Sequence, residues 1–208
     1  MARSLRWLLR GALATTFLVG AQGMAQTTQT THPPSTARTK PVASPEQLLF
    51  KDDGMTPNSR FPTLVYRGVK LEGDKASALE KLFASNGWPS RWRYTVYDFH
   101  HYHSNAHEVL GVASGTARLK LGGESGQEVR VQAGDVLVLP AGTGHRRLQS
   151  SDDFLVVGGY PAGTGDYDLQ RPDKATHDAS VQRIAQVPLP GMDPVTGEQG
   201  ALSSAWKP

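Results

Sequence analysis

Cysteine is missing from all 208 residues. The fold therefore needs no disulfide, and zinc sites built on thiolates are excluded. A long apolar run is missing as well. The apolar stretch at residues 11–21 is too short and wrongly flanked to span a bilayer. Arg3, Arg6 and Arg10 precede it, and Gly23-Met24-Ala25 supplies small residues suited to signal peptidase. Residues 1–25 thus read as an export signal with a mature start at Gln26, and the alternative is an uncleaved N-terminal anchor. Cleavage predicts a periplasmic or secreted protein with no stable membrane insertion afterwards. An excess of one charge is also lacking. The formal +3 comes from 22 basic and 19 acidic side chains, but three basic ones lie in the signal and no acidic one does. What remains is 19 against 19, so the basic balance gives no reason to expect nucleic acid as a partner.

What is present fits one domain, and no internal repeat divides it. Residues 26–43 are rich in Thr, Pro, Ser and Gln and read as a flexible linker. A barrel domain is expected over residues 44–165, and residues 166–208 read as an irregular extension wrapping its outside. Residues 62–66 form a strand with Leu64 and Tyr66 on one face. Between Asp74 and Gly87, Ala78, Leu79, Leu82 and Phe83 recur at helical spacing. Asp74 caps this helix, while Asn86-Gly87 and Pro89 end it. From Tyr94 on, alternation takes over. Ala117, Leu119 and Leu121 oppose Arg118 and Lys120, and Val136-Leu137-Val138-Leu139 suits a strand buried on both sides. Many short strands with Gly-rich turns predict an all-β antiparallel sandwich or barrel with one short helix.

The chemistry concentrates in two stretches. In a strand, alternate side chains share a face, so His101 and His103 point one way with Tyr97 and Phe99. A short Ser104-Asn105-Ala106 link leads to Glu108 on the next strand, and a Pro140-x-Gly142 turn delivers His145 to the same mouth. Three neutral imidazoles and a carboxylate suit one divalent transition metal among Mn, Fe, Ni, Cu and Zn, with two neighbouring positions open in octahedral coordination. Arg147 and Gln149 follow His145 at even spacing and are expected inward. There Arg147 would grip a carboxylate and Gln149 would orient a water. Tyr97, Phe99, Leu110 and Val112 are expected to line the cavity. His100 and His107 read as surface or satisfied core residues, with His107 an alternative support for a ligand.

These stretches resemble the two motifs of the cupin superfamily. His101-x-His103-x4-Glu108-x6-Gly115 follows the first motif, with Thr95 in place of its opening glycine. Gly134-x5-Pro140-x-Gly142-x2-His145 follows the second, with Gln149 in place of its final asparagine. Asn86-Gly87-Trp88-Pro89, His101-Tyr102-His103-Ser104 and Gly158-Gly159-Tyr160-Pro161 are similar to phrases of the small bacterial YjlB-like cupins. The resemblance implies a single jelly-roll barrel whose metal ligands are His101, His103, Glu108 and His145. The YjlB-like likeness brings no reaction with it; the expected function is a metal-dependent oxidoreductase, decarboxylase or isomerase of cupin type acting on a small organic acid or similar oxygen-rich molecule. The alternative is a cupin that holds a sugar, an acid or the metal without turnover. A small-molecule ligand is the expected partner, with a second copy of the chain as a homodimer the other.

Overall fold

Alternating and β-branched residues set the architecture of the computed structural model, which describes residues 44–207. The expected signal and the expected linker, residues 1–43, lie outside the described residues. In chain order the elements are β1 (Glu46–Leu48), β2 (Thr63–Tyr66), α1 (Lys75–Ser85), β3 (Ser90–Tyr94), β4 (Glu108–Ser114) and β5 (Thr116–Leu121). They continue with β6 (Gln127–Gln132), β7 (Val136–Leu139), β8 (His145–Ser150), β9 (Leu155–Gly159), α2 (Lys174–Ile184) and α3 (Ala201–Ala205). Every strand pairing is antiparallel. A six-stranded sheet runs β1-β2-β7-β4-β9-β3, and a three-stranded sheet runs β6-β5-β8.

The inner strands of the larger sheet, β2, β7, β4 and β9, are buried on both faces, while its edge strands β1 and β3 are largely exposed. Leu137 and Leu139 of β7 pack into the core shared with Leu119 and Leu121 of the smaller sheet, while Val136 and Val138 face α1. Helix α1 forms where its spacing predicts: Asp74 Oδ1 accepts from Ser77 N at 2.9 Å, and Ala76, Leu79 and Phe83 are buried. It seats against β4 at Gly111, where a Cβ would meet the Leu79 and Phe83 side chains at 2.7 and 2.8 Å. Only a missing side chain lets the helix approach that closely.

The C-terminal region departs from expectation. Its Lys174–Ile184 segment is an 11-residue helix, capped by Asp173 Oδ1 accepting from Ala175 N. Only Ser180 of it is buried, so no apolar stripe betrays it. Helix α3 then brings Leu202 and Trp206 back onto the core beside α1. None of the helices among the described residues is long and apolar enough to cross a membrane.

Candidate metal centre

Three different local devices carry the candidate ligands. Residues 97–103 are expected to run as a strand through the histidines, but they form only isolated bridges, His101 with His145 and Tyr102 with Gln170. Glu108 opens β4 and His145 opens β8. The Pro-x-Gly turn before β8 needs Gly142 at φ +91°, where a Cβ would meet the Asn58 carbonyl oxygen at 2.4 Å. Gly142 N also donates to His103 O at 2.8 Å, which ties the two histidine segments together.

The histidines converge. One ring nitrogen from each of His101, His103 and His145 lies within 4.8 Å of the others, and all three side chains are buried. Glu108 completes the group, with Oε1 at 3.3 Å from His103 Nε2 and Oε2 at 3.3 Å from His145 Nε2. Each imidazole is pinned at its other nitrogen by a backbone carbonyl. His101 Nδ1 contacts Phe99 O at 3.2 Å, His145 Nδ1 contacts Thr143 O at 3.0 Å, and His103 Nδ1 contacts Asp168 O. A carbonyl can only accept, so each Nδ1 carries the proton. In the neutral rings this turns the Nε2 lone pairs toward the common centre.

Electrostatics favour the neutral ring at His101. Burial, reinforced by His145, pushes His101 down to about 3, so it stays neutral. Burial alone would raise the Glu108 pKa, but His103 and His145 outweigh it and hold the carboxyl well below the usual range. Burial also works against a charged His103, yet the Glu108 carboxylate prevails and raises its pKa. A buried carboxylate oxygen without a hydrogen-bond donor, Glu108 Oε2, faces a ring nitrogen at 3.3 Å. Two acceptors so placed call for a cation. Metal–ligand bonds of ~2.1 Å would put neighbouring donors ~3.0–3.4 Å apart, which matches these separations. The residues present fit a bound metal ion.

Tyr160 on the far side of β9 donates its hydroxyl to Glu108 Oε1 at 2.6 Å, and burial together with that carboxylate raises its pKa. Nothing in the motif spacing pointed to this residue. Replacing it with phenylalanine should weaken metal binding by ~10-fold in a chelator competition, the lower edge for groups that orient a ligand. Unchanged affinity would show that the hydroxyl does not position Glu108.

A cavity of about 260 Å³ opens over the centre, walled by Trp92, Tyr97, Leu110, Tyr160, Tyr167 and Leu169 among others. Tyr97 and Leu110 thus line it as expected, while Val112 is buried in the core between the sheets. Arg147 and Gln149 do not line it. Arg147 donates from Nε to Val96 O at 3.1 Å and from Nη1 to Ser150 Oγ at 3.2 Å. Gln149 is exposed because the β5–β8 register shifts between Leu119–Arg147 and Arg118–Gln149, and that extra residue turns it outward beside Arg118. Among the described residues no lysine or arginine lines it, and neither does Phe99, whose ring stacks on Tyr97. His107 faces away from the centre, accepting from Ala141 N at 3.0 Å and packing against Trp206. His100 is buried with neither ring nitrogen hydrogen-bonded, contrary to the satisfied role expected of it.

Comparison with known proteins places this geometry in a family. Residues 97–156 match the family described as Cupin domain. The YjlB protein of Bacillus subtilis strain 168, itself uncharacterized, is 39% identical over 162 residues, covering 77% of this chain and 96% of the relative. The chain is a small bacterial cupin of the YjlB family. Solved structures overlap it in part. A DUF861 family protein from Thermotoga maritima is 21% identical over 44% of this chain and 98% of its own, with a TM-score of 0.28. Oxalate decarboxylase from Bacillus subtilis is 22% identical over 54% of this cupin and 28% of its own chain, with a TM-score of 0.32.

Proposed function

We propose that this cupin is an exported metal-dependent enzyme acting on a small organic acid or similar oxygen-rich molecule. On this reading a jelly-roll barrel holds one divalent transition metal, drawn from Mn, Fe, Ni, Cu and Zn, through His101, His103, Glu108 and His145. One observation carries it: all three buried histidines commit Nδ1 to backbone carbonyls and cluster at their ring nitrogens, with Nε2 of His103 and of His145 each 3.3 Å from the buried Glu108 carboxylate. The cavity of about 260 Å³ lies below the usual range for drug-sized ligands, which suits a small substrate. When bound, the metal supplies Lewis-acid or redox chemistry. The chain's own part is to exclude water with aromatic walls, to hold Glu108 through Tyr160, and to offer Tyr97 and Tyr167 at the mouth.

Among the described residues Arg147 is engaged elsewhere and no lysine or arginine lines the cavity, so a bound cation would supply the positive charge for a substrate oxygen. Arg147→Ala should therefore leave carboxylate affinity within ~2-fold, and a ~10-fold loss would contradict its placement. A second reading, holding a ligand without turnover, draws support from the lining residues. Apart from the candidate ligands, tyrosines are the only acid–base groups there among the described residues. The two readings part when metal-loaded protein is incubated with small hydroxy and dicarboxylic acids and substrate loss is followed by NMR. Consumption that stops in His145→Ala supports the enzyme, and tight binding without consumption under every metal supports the alternative. Export is tested by the N-terminus found in cells, expected near Gln26; chain beginning at Met1 and confined to the cytoplasm would contradict it.

A further inference from the structure

The segment after β9 carries no candidate ligand, yet it meets the centre at several points. Tyr102 N donates to Gln170 O at 3.0 Å and Gln170 N to Tyr102 O at 2.9 Å, laying residues 166–170 alongside 102–105. Asn105 locks the pair, its Nδ2 donating to Asp166 O at 3.0 Å and its Oδ1 accepting from Asp168 N at 2.9 Å. Asp168 is the knot. Its Oδ1 accepts from Ser104 N at 2.7 Å, and its Oδ2 accepts from Ser104 Oγ and, at 3.0 Å, from Gln170 Nε2. So anchored, its backbone carbonyl accepts a hydrogen bond from His103 Nδ1–H. The flanking residues face the cavity. Tyr167 stacks on Tyr160 at 4.1 Å and 16° and meets the His103 ring edge-on at 5.2 Å, while Leu169 completes that wall.

We propose that residues 166–170 form a strap in which Asp168 is a positioning residue for His103 and Tyr167 sets the size of ligand admitted. The proposal deepens the metal-centre reading and rests on it for its binding arms. Two features make the strap more than packing. The Asp168 side chain is spent on Ser104, the neighbour of His103, so strap and ligand are held in one register. Tyr167 and Leu169 remain 37% and 43% exposed, so the wall they form borders the opening.

The test compares Asp168→Ala, Asp168→Asn and Tyr167→Ala in the full-length mature protein. In the metal-free wild type, NMR should show a hydrogen-bonded, slowly exchanging Nδ1 proton on His103. Asp168→Ala should lose it, although the backbone carbonyl survives the substitution. Asp168→Asn, which keeps an acceptor for Ser104 N, should restore it. In the cobalt(II)-loaded protein, Asp168→Ala should shift the d–d absorption and lower cobalt affinity ~10-fold, with Asp168→Asn near wild type. Tyr167→Ala should keep cobalt affinity within ~2-fold and raise the ratio of benzoate to acetate affinity at least ~5-fold. An Nδ1 proton and a cobalt spectrum unaltered by Asp168→Ala would overturn the positioning role, and an unaltered benzoate-to-acetate ratio would overturn the wall. If wild type takes up no cobalt, the metal reading fails, and the NMR comparison still decides the Asp168 role on its own.

Discussion

Alanine at position 103 should cost the protein its metal. His103 is buried, bonded at Nδ1 to the strap and placed at Nε2 within 3.3 Å of Glu108, so no neighbour can swing in to replace it. Groups that merely orient a ligand are worth ~10–100-fold in metal affinity, and loss of the ligand itself should exceed ~100-fold. Competition against a chelator of known affinity measures this. The same substitution leaves Glu108 buried with one fewer partner, so its pKa should climb from its depressed value toward the ordinary range or above. Full metal occupancy in His103→Ala under competition would show that the centre lies elsewhere.

The second large effect is on stability. Trp88 is 1% exposed at the junction between α1 and β3, and its Nε1 donates to Met192 O at 2.8 Å. It packs in the same core as Phe83, Val157 and Leu202, so one side chain joins helix, sheet and C-terminal region. Trp88→Ala should destabilise by ~3–5 kcal/mol, the usual cost of removing a buried large aromatic. Chemical denaturation with an unchanged m-value reads this directly. A loss below ~1 kcal/mol would mean that the C-terminal region does not depend on the core it covers.

Local patterns were readable wherever one principle governed them. The α1 boundaries follow from Asp74 and Asn86-Gly87, and the burial of β7 on both faces follows from its unbroken apolar run. His101, His103, Glu108 and His145 were visible because ligand chemistry restricts residue types, and the turn through Gly142 explains their meeting. What stayed hidden was non-local or broke a period. One extra residue in β8 turned Gln149 outward, and hydrogen bonds to Val96 and Ser150 drew off Arg147. Helix α2 is polar on nearly every side, so no hydrophobic spacing reveals it. The return of Tyr167 and Asp168 to the centre depends on pairing across more than sixty residues, with Ser104 and Asn105, and no local pattern encodes that distance.

The most direct test of the central claim is X-ray absorption at the edge of whichever metal the purified protein carries or takes up. The geometry predicts about one metal per chain, light donors at ~2.1 Å and the outer scattering of imidazole rings fitted by three histidines. A bound metal without imidazole scattering, or a chain that takes up no divalent transition metal, would contradict it.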